Sequence, residues 1–363
     1  MKEKTGFVIV GSGWRAMYYA RIAKALPEKF ECLAMLCRSE EKKEKIRREY
    51  GIHAVLSKEE CMALKPDFAV IAVDKAHISE VTLAWAEDLP VLLETPAGTS
   101  KAELEQLRNL YLFGARIAVA EQYRRYAVHT AKKKLLERGL LGEPYYLYLS
   151  EAHDYHAVSL MRQYLNLPCE MPFEVRAESW SFPSAETLTR YERFTDGRIA
   201  DKKRTLAVFR FENGKVCVYD FDSEQYRSPI RGSFMKLQGS RGEMLGETVR
   251  WLDEDNRPNT DTLQVHRRLV TTASTNPNLH EFHEISVIEW QGEVLYDLPF
   301  GPAGLSEDET ALALMLEGMR DYARGEKEAP YPLKEALADA YAAICMHASL
   351  ETGTPVRFEL PGQ

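Results

Sequence analysis

Over the first 122 positions of the chain, short uninterrupted apolar runs alternate with amphipathic, charge-laced stretches. The runs are FVIV (7–10), ECLAML (31–36), FAVIAV (68–73), VLLE (91–94) and RIAVA (116–120). Runs that are continuous rather than alternating are expected of parallel strands buried on both faces. Between them lie helical patterns such as AMYYARIAKAL (16–26) and EEKKEKIRREY (40–50). Two segments carry an S-x-x-E capping box, Ser57 with Glu60 and Ser100 with Glu103. This alternation predicts right-handed βαβ units and a doubly wound parallel sheet, the Rossmann type of α/β domain.

The pattern changes after Glu121. A helical stretch at about 126–138 ends at Gly139, and the strand-like YYLYLS follows at 145–150. RTLAVFRFENGKVCVYDF and EISVIEWQGEVLYDLPF each read as two strands joined at an N-G or Q-G turn. Helical patterns recur at 156–166, 306–324 and 333–350, the second opening with a capping box from Ser306 and Glu309. The expected organisation is a dinucleotide-binding domain over 1–122, then an α+β domain over 123–363 with a large, mainly antiparallel sheet for substrate binding and oligomerisation.

Length agrees with two domains, because single cores stop growing near ~250–300 residues, and this chain has 363. A net charge of −8 excludes the basic excess of a nucleic-acid binder. The KKK run at 132–134 reads as a solvated helix face. No apolar stretch reaches the ~18–20 residues needed to span a bilayer, and FVIV is too short for the core of a signal peptide. Six scattered cysteines without a C-x-x-C pair suggest reduced thiols and a cytoplasmic setting. HEFHE (280–284) lacks the H-E-x-x-H spacing of a zinc helix, so no metal site is expected.

Chemistry enters at the first strand–helix junction. FVIV runs into Gly11-Ser12-Gly13-Trp14-Arg15-Ala16, a G-x-G-x-x-A turn opening a helix. The first glycine permits the tight turn, the second lets backbone approach a pyrophosphate, and the alanine permits close helix–strand packing. The second strand ends at Cys37-Arg38-Ser39, without the acid that usually binds the adenosine ribose. A missing acid beside an arginine favours the 2′-phosphate of NADP, while NAD remains open, with Arg38 stacking on adenine or capping a helix.

Taken together, GSGWRA, the strand AVIAV followed by DKAH (74–77), LLETPAG and EQYRR (121–125) resemble the Gfo/Idh/MocA oxidoreductases, the family of glucose–fructose oxidoreductase and inositol dehydrogenase. KLQGSRGEML (236–245) and the closing PVRFEL look like that family's substrate domain. The resemblance implies a Rossmann domain joined to an open sheet that builds homodimers or homotetramers. It also implies hydride transfer between NAD(P) and a carbinol carbon of a sugar, cyclitol or related small molecule. On these motifs Asp74 and His77 fall at the loop after the third main strand, and Glu94 and Pro96 at the outer positions of the family's E-K-P. The lysine between them, which contacts the nicotinamide ribose and the reacting hydroxyl, is replaced here by Thr95. Threonine donates a hydrogen bond but cannot stabilise a developing alkoxide as an ammonium does. Lys75, on the loop after the neighbouring strand, is a candidate to supply that charge; a solvated loop lysine is the alternative.

A base for the hydroxyl proton is expected from SEAHDYHAVSLMRQYL (150–165). The resemblance puts the catalytic histidine at His156, with His153 as the competitor and a substrate-binding candidate. The family's aspartate four residues earlier is Ala152 here. Asp154 is the nearest substitute and, on a strand, would share a face with His156 at ~7 Å, with His153 and Glu151 on the other face. Arg124 of EQYRRY, and Tyr226 among Gln225, Arg227 and Arg231 of DSEQYRSPIRG, are further substrate candidates. Three outcomes stay open: net dehydrogenation or reduction, a redox-neutral lyase or glycosidase using held NAD, and dinucleotide or sugar binding without turnover.

Overall fold

The computed structural model describes residues 4–274 and 276–358. The chain divides into two compact units. One is built from the chain up to Gln122 together with Phe300–Tyr341, the other from Tyr123–Pro299 and the chain from Ala342 onward.

In the first unit, strands and helices alternate as the apolar runs dictate: β1 (Thr5–Val10), α1 (Trp14–Ala25), β2 (Phe30–Leu36), α2 (Glu40–Tyr50), β3 (Ala54–Val55), α3 (Lys58–Ala63), β4 (Phe68–Ile71), α4 (Ile78–Ala86), β5 (Val91–Leu93), α5 (Lys101–Leu112) and β6 (Ile117–Val119). The sheet order is β3-β2-β1-β4-β5-β6, parallel throughout. The order reverses at β1, so the crevice of a doubly wound sheet lies at the carboxyl ends of β1 and β4. Phe7, Val8, Ile9, Phe68, Val70, Leu92 and Leu93 are fully buried; each large apolar side chain so buried contributes roughly 1.5–3 kcal/mol. Helices α3 and α5 start at the capping boxes read from Ser57/Glu60 and Ser100/Glu103.

The second unit opens with a 3₁₀ turn (Tyr123–Arg125) and α6 (Ala127–Glu137), then β7 (Pro144–Ser150), α7 (Asp154–Leu165), β8 (Phe173–Ala185), β9 (Ile199–Phe211) and β10 (Val216–Asp222). A 3₁₀ turn at Ser223–Tyr226 leads to β11 (Phe234–Gly239), β12 (Gly242–Leu245), β13 (Thr248–Leu252), β14 (Pro258–Thr262), β15 (Gln264–Thr271), α8 (Pro277–His280), β16 (Glu281–Trp290) and β17 (Glu293–Asp297). Nine strands form one sheet, β14-β13-β12-β11-β7-β10-β9-β8-β18, with β18 at Val356–Phe358. Only β7 and β10 pair in parallel. Strands β15, β16 and β17 make a separate antiparallel sheet. The KKK run is not a uniformly solvated face. The helical period of α6 buries Lys132 together with Ala131 and Leu135 and leaves Lys133 and Lys134 exposed.

Two further helices complete the chain, α9 (Glu307–Ala323) and α10 (Leu333–Thr352). The sequence reading assigns 300–341 to the second domain, whereas packing groups it with the first unit. The ties are specific: Arg21 Nε donates to Glu309 Oε1 at 2.5 Å, Lys29 pairs with Glu317 at 2.7 Å, Arg116 donates to Ala323 O at 2.8 Å, and Val119 N donates to Tyr331 O at 3.0 Å. Among the described residues no helix is long and apolar enough to cross a membrane.

Candidate functional site

Gly11 takes φ +115 where β1 passes the end of β4. A Cβ built there would lie 2.3 Å from the Ala72 carbonyl oxygen, so no side chain fits. Gly13 is different: its φ is −78, and a Cβ there meets nothing within 4 Å. That open space adjoins the start of α1, whose first turn has no side-chain cap. Uncapped N–H groups at a helix N-terminus carry partial positive charge and hold phosphate. Ala16 is fully buried, as close packing of α1 on the sheet requires. The turn therefore fits a dinucleotide pyrophosphate, with Gly11, Ser12 and Gly13 as its walls.

Arg15 is turned away from this role. Its Nε donates to Glu94 Oε1 at 2.9 Å, its Nη1 lies 3.3 Å from Asp308 Oδ2, and its guanidinium sits 5.7 and 5.3 Å from the Trp14 and Tyr18 ring centres. Gln122 Nε2 donates to the other Asp308 oxygen at 3.2 Å. Glu94, buried at the end of β5, also accepts the Tyr19 hydroxyl proton at 2.5 Å and the Thr95 N–H at 3.3 Å. Burial first, and then the Glu94 charge, push the Tyr19 phenol well up. Glu94 thus anchors the loop that presents Thr95 and the cis-bonded Pro96.

Around this turn, Cys37 is buried and Arg38 exposed. Ser39 caps α2, accepting the Lys42 N–H at 3.2 Å. Beyond β4, Asp74 closes a turn by accepting the Ala76 N–H at 2.9 Å, and His77 begins α4. Asp74, Lys75 and His77 are all exposed. Strands β4 and β5 pair in register Ile71↔Leu93, so the Lys75 and Thr95 loops leave neighbouring strand ends, as expected.

In the second unit the histidine segment does not continue β7. The strand stops at Ser150, and α7 begins at Asp154, which takes φ +43 with His153 as N-cap. The strand geometry expected for Asp154 and His156 is therefore replaced by a helical turn. His153 and His156, three residues apart, bring their rings to 5.0 Å. A short polar side chain tolerates left-handed backbone, though at a cost of roughly 1–2 kcal/mol. His156 is buried and packed by Tyr123 at 4.4 Å and Tyr155 at 4.5 Å. The Tyr226 hydroxyl accepts the His153 N–H at 3.0 Å and lies 2.8 Å from its Nδ1. One hydroxyl thus engages both the backbone and the ring of His153.

Asp154 has partners that the sequence did not point to. Its N–H donates to the Tyr219 hydroxyl at 3.4 Å, and its Oδ1 lies 3.2 Å from His347 Nε2. Burial pushes the Asp154 carboxyl up, but the His347 hydrogen bond and charge, with smaller help from His153 and His156, hold it below the usual carboxylate range. The same bond raises the His347 imidazole against its burial. Glu151 does not face His153 across a strand; its Oε2 is 3.4 Å from His129 Nε2, and His129 Nδ1 is 2.7 Å from the Tyr164 hydroxyl. Arg124 Nε and Nη2 donate to the Ser159 carbonyl at 3.0 and 2.7 Å, so this guanidinium braces α7. Among the described residues no group of three or more His, Cys, Asp or Glu is arranged to hold a metal ion.

A search of curated protein sequences returned no match. Solved structures similar over nearly the whole chain include the WlbA dehydrogenase of Bordetella pertussis in complex with NADH and UDP-GlcNAcA. It is 16% identical, with 99% of this chain and 100% of that chain covered at TM-score 0.64. The WlbA dehydrogenase of Chromobacterium violaceum, with the same two ligands, is 15% identical over 100% and 98% at TM-score 0.66. An oxidoreductase of Agrobacterium radiobacter, in complex with NAD+, L-tartaric acid and magnesium, is 15% identical over 98% of both chains at TM-score 0.63. At such identities the likeness establishes the fold. The sequence-level match is narrower: residues 5–111 fit the family model described as an oxidoreductase family with an NAD-binding Rossmann fold. Within the first unit, residues 5–111 are thus similar to the NAD-binding Rossmann domain of the Gfo/Idh/MocA oxidoreductases.

Proposed function

We propose that the protein is an NAD(P)-dependent oxidoreductase that moves a hydride to or from a carbinol carbon of a sugar, cyclitol or related small molecule. The observation that carries the reading is the first turn. Gly11 admits no side chain, Gly13 faces open space, and α1 presents uncapped N–H groups, all inside a segment that matches an NAD-binding family. Residues Gly11, Ser12, Gly13 and the α1 N-terminus would hold the diphosphate. Arg38 and Ser39, with no acid beside them, suit NADP, and Asp74, His77, Glu94, Thr95 and Pro96 would bound the nicotinamide end. Bound nicotinamide would supply the hydride donor or acceptor.

The protein's own residues would handle the proton. His156 would take the hydroxyl proton in oxidation and return it in reduction, buried among Tyr123, Tyr155 and His153 so that its ring has one orientation. His153, Arg124 and Tyr226 are the substrate-side candidates. Arg124 is engaged with α7 and the Tyr226 hydroxyl with His153.

Thr95 favours a second reading, binding without turnover, since it carries no charge for a developing alkoxide. A redox-neutral elimination on held NAD is the third. Calorimetry with NAD and NADP, a polyol panel followed at the NAD(P)H absorbance, and product analysis without added coenzyme separate the three. Net NAD(P)H formation supports the first, conversion without it the third, and coenzyme heat alone the second. No heat with either coenzyme, in a protein that native mass spectrometry shows to carry none, refutes all of them. The large sheet of the second unit is the surface proposed to build a homodimer or homotetramer, and a cytoplasmic location goes with the reading.

A further inference from the structure

We propose that His347 is a positioning residue of the histidine cluster: bonded to Asp154, it clasps the left-handed residue from which α7 and its two histidines set out. The bearing of this clasp on catalysis rests on the oxidoreductase reading; the clasp itself does not.

The geometry is over-determined at one residue. Asp154 sits between His153 and His156 with φ +43, a backbone conformation that a non-glycine residue keeps only when its surroundings enforce it. It lies before the helix's own hydrogen bonds begin; those start with His156 N and Ala157 N, both bonded to His153 O at 3.1 and 3.3 Å. Two anchors from distant parts of the second unit do the enforcing. The Tyr219 hydroxyl, from β10, takes the Asp154 N–H at 3.4 Å. His347 Nε2, from the last turns of α10, meets Oδ1 at 3.2 Å. Of these, the imidazole can change its charge near neutrality.

The groups facing the pair set the sign. Lys203 of β9 opposes a charge on His347, while Glu351, one turn along α10, and Asp154 favour it. His153 and His156 face Asp154 from α7. Asp154 and Glu351 prevail, and the His347 imidazole holds its proton above the usual histidine range. The Asp154–His347 bond is therefore charge-assisted while His347 holds its proton and weakens as pH rises through the His347 midpoint. With 52% of its side chain exposed, His347 exchanges that proton directly with solvent.

The test uses the full-length protein with histidine-selective ¹³C labelling, the His347 resonance being assigned by its loss in His347→Gln. Titration is followed from about pH 5.5 to about pH 9, spanning the histidine range, together with hydrogen exchange of the amides of 154–158 corrected for intrinsic rate. The clasp predicts that the His347 midpoint falls toward the ordinary histidine value in Asp154→Asn. It also predicts that protection of 154–158 declines through the wild-type midpoint and is pH-independent in His347→Gln. A midpoint unmoved by Asp154→Asn, or the same pH-dependent protection in His347→Gln, overturns the proposal. If the polyol panel yields turnover, kcat should fall as pH rises through the same midpoint with the coenzyme KM unchanged, and that falling limb persisting at the same midpoint in His347→Gln also overturns it. A protein without turnover on any polyol counts against the oxidoreductase reading alone, because the titration and exchange still decide the clasp.

Discussion

Replacing each of the two turn glycines by alanine should give opposite results, and the structure sets both magnitudes. At Gly11 the added methyl would sit 2.3 Å from Ala72 O and 2.9 Å from Ala72 C, both backbone atoms that cannot swing aside. Relief requires β1 and β4 to separate, an overpacking cost of about 1–3 kcal/mol. The φ of +115 adds left-handed strain of roughly 1–2 kcal/mol. Together these make Gly11→Ala destabilising by roughly 2–5 kcal/mol, a melting-temperature loss on the order of 10 °C. At Gly13 the methyl meets nothing within 4 Å and φ is ordinary, so stability should hold or rise by about 0.4–1 kcal/mol through the stiffer unfolded chain. The same methyl fills space assigned to the diphosphate, and coenzyme affinity should fall at least about tenfold, or ~1.4 kcal/mol. Thermal melts without coenzyme, and calorimetric titrations with NAD and NADP, read the two effects separately. A Gly13→Ala protein that binds both coenzymes as the wild type does would refute the assignment of that space. A Gly11→Ala protein with an unchanged melt would refute the steric argument.

Three further outcomes are expected. Thr95→Lys should raise turnover on a responsive polyol by supplying an ammonium at the E-T-P position. Lys75→Ala should lower it only if Lys75 supplies that charge now, so a steady-state comparison of the two variants tells whether the site uses a cation. The Asp154–His347 pair should stabilise the fold in a bounded pH window. Asp154 is depressed, so its contribution is present above the usual carboxylate value and is lost as pH falls through its folded value. His347 is raised, so its contribution is complete below the usual histidine value and is lost as pH rises through its folded value. The melting difference between wild type and His347→Gln should accordingly be larger at mildly acidic pH than at alkaline pH, and a flat difference would contradict it. Lys132 is buried, and burial lowers its pKa despite the pull of Glu151 and Glu247. Lys132→Met should therefore melt higher than wild type at neutral pH. The gap should narrow as the wild-type amine loses its proton at alkaline pH, which melts over a pH series would track.

How much of this could be read from the chain depended on whether the signal was local. The strands β1, β2, β4, β5 and β6 announce themselves because burial on both faces makes each an uninterrupted apolar run. The two-residue β3 has no run to betray it. The capping boxes at Ser57, Ser100 and Ser306 are self-contained in four residues, and all three form. Strand β8 was invisible because its alternation of buried Phe173, Val175 and Ala177 dissolves into the exposed 178–181. The glycine turn was legible as a turn, with Gly11 at the positive φ that a tight bend requires. Around the histidine segment the strand before it and the helix after it were legible, but not the turn that joins them. A single positive φ at Asp154 converted an expected strand into a helix start, and nothing local signals it. Tyr219 and His347, the partners of Asp154, lie on other elements with no fixed spacing to it, so only the fold brings them in. The partners of Arg15 were hidden for a related reason: Asp308, far along the chain, pairs with it together with Glu94.

The return of residues 300–341 to the first unit has a consequence for biogenesis. Arg21, Lys29, Arg116 and the edge strand β6 find their partners on a segment translated after Pro299, including the buried Glu309 that accepts from Arg21. A ribosome that has emitted only the first 122 residues has therefore released a coenzyme module still lacking its closing helix. That module can complete itself only after the strands of 123–299 have emerged, so its last contacts wait on chain made long after its first strand.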